Sequence, residues 1–179
     1  MKILFGSLLV TLLLTGCNSM KPQDFKESEP KLSLFNYFNG KTSAWGIFED
    51  RFGNVRRQFK VDIVGSINGN ELTLDERFLY SDGEKDQRIW RIRKTGEQTF
   101  EGEADDVIGK ATGEVQGNAL NWKYDLNLKV GESAYKVHFD DWMFLQSGGV
   151  MINRARMSKW GFDVGEVTLF FMKPAGVAG

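Results

Sequence analysis

The sequence predicts an all-β fold: a single antiparallel up-and-down β-barrel of about 8–10 strands, with a β-sandwich as the alternative. Three observations predict it. From Leu34 onward apolar residues recur with period two, most plainly in Leu120-Asn121-Trp122-Lys123-Tyr124-Asp125-Leu126-Asn127-Leu128-Lys129-Val130, where every even position is apolar and every odd one polar. Runs of this kind follow one another with turn-forming pairs between them, the pattern of a meander rather than of strands alternating with helices. A chain of 179 residues, 41% hydrophobic and 26% charged, buries enough surface for one ordinary domain, and its single Cys excludes an intrachain disulfide framework.

Taken in order, residues 34–40 allow one short helix, and strands are expected over 42–50, 55–65, 71–80, 87–95, 98–106, 109–117, 120–130, 134–145, 150–158 and 163–172. In the second of these Phe59, Val61 and Ile63 share one face, and Gln58, Lys60 and Asp62 the other. The turn signals are Asn68-Gly69-Asn70, Ser81-Asp82-Gly83, Thr95-Gly96, Gly117-Asn118, Gly131-Glu132 and Gly148-Gly149. An open meander of this length would expose two edges, and closing it removes both. The barrel is not expected to be an outer-membrane pore, because its outward faces carry charge where lipid demands an apolar band.

The beginning of the chain has a different character. Met1-Lys2 gives a positive start, and residues 3–14 (ILFGSLLVTLLL) form an apolar run shorter than the roughly 20 residues that span a bilayer core. Residues 1–16 therefore read as a signal peptide. Leu14-Thr15-Gly16-Cys17 resembles the lipobox of bacterial lipoproteins, which implies cleavage before Cys17, a diacylglyceryl group on its sulfur and acylation of the new amino terminus. Two or three such chains hold a protein firmly on a membrane without crossing it. Asn18 follows, not the Asp that resembles an inner-membrane retention signal in Gram-negative lipoproteins, so the periplasmic leaflet of the outer membrane is the expected home. Residues 17–33 read as the lipidated Cys and a tether reaching at most ~50 Å, and residues 34–179 as the barrel domain.

A barrel of this size is either packed by its own side chains or holds one small ligand. If Gly117-Asn118 is a two-residue turn, Val115 faces Leu120, Gly113 faces Trp122, Ala111 faces Tyr124 and Gly109 faces Leu126. Two readings follow: the rings cover the small residues and fill the core, or the small residues leave room beside an aromatic wall for an acyl chain. In the hairpin from Leu72 to Lys94, a turn near Asp82 pairs Leu74 with Trp90 and Glu76 with Arg88, on one apolar face with Phe78 and Ile92. Arg57 falls on the apolar face of its own strand with Val55, Phe59 and Val61. Buried charges are costly unless paired, so these three either form a closed ion-paired lock or anchor the polar end of a ligand. The candidate ligand-binding residues are Arg57, Phe59, Glu76, Phe78, Arg88, Trp90, Ala111, Gly113, Trp122 and Tyr124, with Val61, Ile63, Leu74, Ile92 and Leu126 completing the lining.

Other chemistries find little support. A net charge of −1 with no basic stripe does not suit a nucleic-acid binder. The single His, His138, lies on the strand face opposite Val137 and Phe139, and there is neither a Cys beyond Cys17 nor a Gly-x-Ser-x-Gly elbow. No catalytic dyad, zinc site or cofactor site of the usual kind is therefore expected. In Asp105-Asp106 and Asp140-Asp141 adjacent acids point to opposite faces, so neither pair converges on one atom and both read as solvated strand ends or turn caps. Only one acid from each, Asp106 and Asp141, could meet across the sheet, as an enzymatic reading would need.

The set Asp82-Gly83-Glu84, Arg88-x-Trp90, Ala104-Asp105-Asp106-Val107-Ile108-Gly109-x-Ala111, Gly117-Asn118-Ala119-Leu120-x-Trp122, Asp140-Asp141-Trp142-Met143 and Lys159-Trp160-Gly161 resembles the bacterial lipoproteins grouped as the domain-of-unknown-function 3833 family. The resemblance covers nearly all of the chain after the signal peptide. It implies a calycin-like or lipocalin-like barrel lipoprotein, and its members are often encoded near fatty-acid-modifying enzymes such as cyclopropane-fatty-acid synthases. The expectation is a periplasmic lipoprotein, membrane-held through Cys17, that binds a fatty acyl or other small apolar ligand in its barrel. A non-enzymatic scaffold with a packed core is the alternative, and the sequence identifies no protein partner.

Overall fold

The computed structural model describes residues 19–130 and 133–173, so the expected signal peptide and Cys17 lie outside the described residues. Ten strands follow in chain order: β1 (Gly40–Asp50), β2 (Val55–Asn68), β3 (Glu71–Tyr80), β4 (Lys85–Lys94), β5 (Thr99–Glu103), β6 (Val107–Gln116), β7 (Ala119–Val130), β8 (Ser133–Leu145), β9 (Val150–Lys159) and β10 (Phe162–Met172). Each pairs antiparallel with the next, and β10 returns to β1 from Ser43↔Met172 to Asp50↔Gly165, closing an up-and-down barrel. That pairing excludes the sandwich. The period-two pattern is the cause: Leu120, Trp122, Tyr124 and Leu126 are buried inside, while Lys123 and Asn127 are exposed.

All ten expected runs are strands, and the largest difference is in the fifth. It ends at Glu103, because the chain leaves the sheet in a turn closed by the Val107 N–H donating to the Ala104 carbonyl at 3.1 Å. β5 pairs with β4 only over Arg91–Lys94, which leaves a notch beside the first half of β4. The β6–β7 hairpin has the expected Val115↔Leu120 and Gly113↔Trp122 pairs, but its register breaks between Ile108 and Thr112. There Gly109 takes φ +73, a bulge conformation open to glycine, and Val107 rather than Gly109 stands opposite Leu126.

One end of the barrel is closed by helix α1 (Leu34–Phe38), which buries Leu34, Tyr37 and Phe38. Phe38 meets Phe171 edge-on at 5.8 Å, and the Tyr37 hydroxyl donates to the Gly149 carbonyl at 3.0 Å. Gly65 lets the helix in, since a Cβ there would lie 1.8 Å from the Phe38 carbonyl oxygen. At the other end the β1–β2, β3–β4, β5–β6 and β9–β10 connections surround a mouth.

Residues 21–32 depart from the free leash expected of them and run along the outer wall at the closed end. A 3-10 turn (Pro22–Phe25) sets the Phe25 ring 5.8 Å from Trp142 and 5.3 Å from Phe144, and the Leu32 N–H donates to the Gly117 carbonyl at 2.8 Å. Phe25 and Leu32 are the apolar residues of an otherwise polar run, and each has a place to be covered.

Candidate ligand-binding cavity

Eight strands already enclose an interior that side chains fill or that holds one small ligand, and ten make a wider ring. This barrel is hollow. Its cavity of about 620 Å³ falls within the roughly 300–1,000 Å³ of small-molecule sites. Arg57, Phe59, Glu76, Phe78, Arg88, Trp90, Trp122 and Tyr124 all line it, as do Val61, Ile63, Leu74, Ile92 and Leu126.

Ala111 and Gly113 do not, and here the expectation is corrected. The Trp122 indole lies flat over the small residues, so that a Cβ at Gly113 would come 2.2 Å from its Cε3, and one at Gly102 2.5 Å from its Cζ2. The rings cover the glycines, and the hollow lies on the other side of the indole. Trp90 meets Trp122 and Tyr124 edge-on at 5.7 and 5.4 Å, and Tyr124 stacks on Phe139 at 4.9 Å and 4°. Four rings thus form one continuous wall.

A polar cluster interrupts this apolar lining at mid-height. Glu76 and Arg88 face each other across β3 and β4 as the sequence predicts, but the lock closes elsewhere. Arg88 donates from Nε and Nη2 to Asp106 Oδ2 at 3.0 and 2.6 Å, so the acid read as a turn cap is its partner. The short β5 explains this, because the early turn brings Asp106 across the notch beside β4. Against the cost of burial, Tyr124, Glu76 and Asp106 raise the Arg88 pKa further, which keeps it charged.

Glu76 is left uncommitted. Among the described residues no hydrogen bond reaches its carboxyl, and burial pushes its pKa up to about 7, against the pull of Arg88 and with the help of Asp106. Across the cavity Asp141 is raised as well, though its carboxylate has a partner. Burial raises it to about 7, opposed by a hydrogen bond from Asn153 and reinforced by Asp140 and Glu76. Asn153 Nδ2 donates to Asp141 Oδ1 and, at 3.2 Å, to the Trp142 carbonyl, while Asn153 Oδ1 is buried with no donor from the described residues. Between the two acids, burial drives the Tyr124 pKa far up, so its hydroxyl stays protonated.

Arg57 belongs to the mouth rather than to this cluster. It donates to Glu84 at 2.6 Å and Asp82 at 3.4 Å and stacks 3.5 Å over the Tyr80 ring. His138 sits on the outer wall, its Nδ1 2.9 Å from Asp125 Oδ1, and no cluster of metal-ligating side chains occurs among the described residues.

Comparison with known families adds one finding. The family described as "Protein of unknown function (DUF3833)" matches residues 11–173. The chain belongs to this family. No curated protein matches it. The motifs that carry the family resemblance include Arg88, Asp106, Trp122, Asp141 and Trp160, of which the fold gathers the first four around the cavity and leaves Trp160 at its mouth.

Asp106, Asp141, Asn153 and Phe139 are among the site residues that the sequence reasoning did not place in the ligand-binding set. For three of them the signal was present: Asp141 has the parity of Val137, Phe139 and Met143, and Asn153 that of Met151, Ala155 and Met157. Asp106 carried no such signal, because it follows the strand and reaches Arg88 only through a turn.

Proposed function

We propose that this DUF3833 protein is a membrane-anchored periplasmic lipoprotein that holds a fatty acyl or other small apolar molecule in its barrel, with the polar end of that molecule uncharged. The hollow interior with its aromatic wall is the observation that supports this reading. Each methylene that leaves water for such a lining gains roughly 0.8 kcal/mol. The character of the polar end follows from the cluster. A free carboxylate would need an uncompensated guanidinium, and Arg88 is taken by Asp106 while Glu76 and Asp141 add negative charge whenever they ionise. Near neutral pH both acids are partly protonated, so Glu76, Asp141 and Tyr124 offer O–H donors to an ester, amide or hydroxyl oxygen.

The anchor in this proposal is Cys17 in its lipobox-like setting, with the periplasmic leaflet of the outer membrane as location. The cavity's shape supports no bond-making step, and none is proposed. A scaffold role is the alternative, and the cavity of about 620 Å³ is the observation that favours ligand binding over it.

The test is extraction with organic solvent of the Cys17→Ser protein, followed by mass spectrometry. One neutral acyl-bearing molecule per barrel, reproduced across preparations, is the expected result. Repeated recovery of nothing, or of free fatty acid alone, contradicts the cavity reading or its polar end respectively. Globomycin-sensitive processing and acylation of the wild-type chain, lost with Cys17→Ser, would test the anchor separately.

A further inference from the structure

The rim of the mouth is divided. On one side the β1–β2 hairpin ends in Phe52, 73% exposed, and the adjacent β9–β10 hairpin in Trp160 and Phe162, 87% and 73% exposed. Cations accompany these rings: the Arg51 guanidinium lies 4.7 Å over Phe52, and Lys159 Nζ lies 4.5 Å over Trp160 and 4.0 Å over Tyr135. On the other side the β3–β4 and β5–β6 turns carry Asp82, Glu84 and Asp105, with Asp86 at the start of β4, and Arg57 pairs with Asp82 and Glu84.

Two details say that the aromatic display is built. Lys159 pairs with Phe162 across a two-residue turn, in which Trp160 has φ +53 and Gly161 φ +82. Such a turn favours Asn or Gly, and a bulky ring in the left-handed region is strained, so the position holds Trp against the local backbone preference. In the neighbouring hairpin Asp50 Oδ1 accepts from the N–H groups of Phe52 and Asn54 at 2.9 and 3.1 Å, fixing the loop that holds Phe52 outward.

We propose that this half of the rim docks the mouth onto an anionic lipid surface. A Trp ring, with its one polar edge, settles at the headgroup level, apolar Phe rings bury beside it, and the neighbouring cations meet anionic headgroups. The acidic half of the rim is repelled by the same surface, so the barrel meets it tilted, with the aromatic hairpins inserted and the cavity opening against the bilayer. Residues 21–32 lie on the barrel wall at the opposite, closed end, away from this rim.

The test uses the full chain carrying Cys17→Ser, with and without Trp160→Phe, and phosphatidylglycerol–phosphatidylethanolamine vesicles with brominated acyl chains. The difference between the two emission spectra reports Trp160 alone, whatever residues 1–16 do. Vesicles are expected to shift that emission to the blue and quench it at least twofold. Phe52→Ser with Phe162→Ser, or neutral phosphatidylcholine vesicles, should weaken the quenching at least threefold. A Trp160 signal that vesicles leave unmoved, or that is quenched equally in the double variant, overturns the proposal. A shift that needs only higher protein concentration overturns it in favour of self-association. Solvent extraction tests the cavity independently, so failure of the rim and failure of the cavity are distinguishable.

Discussion

The two ends of the barrel are made from the same alternating strands, yet one is packed shut and the other is not. At the closed end glycine admits what fills the space: Gly65 takes the Phe38 carbonyl, and along the wall Gly102 and Gly113 take the Trp122 ring. The cavity runs from Leu34 and Phe38 of the helix towards Arg57 and Lys129 at the mouth, and its inward positions at mid-height include Glu76, Arg88 and Asp141. The difference teaches that the hollow has a local cause. Charged side chains need polar neighbours or water, so apolar side chains do not close over them, and the ten-strand ring supplies the width.

The largest expected effect comes from removing what the packed side depends on. Trp122→Ala should cost about 3–5 kcal/mol in denaturant unfolding, because the indole fills the space over two glycines and forms part of the cavity wall. Gly65→Ala should cost about 2–3 kcal/mol by pushing α1 off its seat, visible as a lower melting temperature. If Gly65→Ala proves neutral, the closed end is not closed in the way described.

In the polar cluster, Asp106→Asn should cost about 1–3 kcal/mol, because it leaves Arg88 charged without its partner in a partly buried place. The two raised acids give a pH signature of definite sign. Their folded pKa values of about 7 lie above the ordinary 4.5 of Glu76 and 3.8 of Asp141, so between about pH 4 and 7 the folded state binds more protons than the unfolded one. Stability should therefore fall as pH rises through that window, by on the order of 2 kcal/mol once the openness of the cavity is allowed for, and level off above pH 8. Glu76→Gln or Asp141→Asn should each flatten the slope, as thermal melts at successive pH values would show. The smallest effect belongs to the rim: Phe162→Ser should leave stability within about 0.5 kcal/mol, since the ring is 73% exposed.

The sequence made the barrel legible because alternation specifies both the strand and the face it buries, and Glu76↔Arg88 and Gly113↔Trp122 followed from turn positions alone. What escaped it were features that alternation does not govern. The Gly109 bulge moved Leu126 opposite Val107, the early end of β5 brought Asp106 to Arg88, and Trp122 covered Gly102 and Gly113 from above. Whether small residues mark a hollow or a seat for a ring depends on side-chain direction across strands, which spacing along one strand does not contain. Asp141 and Asn153 were within reach of the same parity rule that found Phe59 and Val61.

Ala155 gives the most direct test of the hollow. It is 3% exposed, stands opposite Asp141 and faces the cavity, so Ala155→Phe should fill the space where the acyl chain would lie without touching the rim. The measurement is the bound apolar molecule per barrel, by mass spectrometry of solvent extracts, in wild type and in this variant, with cooperative melting of both as the check on folding. About one molecule in the wild type and none in a folded Ala155→Phe is the expected result; equal amounts in the two, or none in either, would contradict the account.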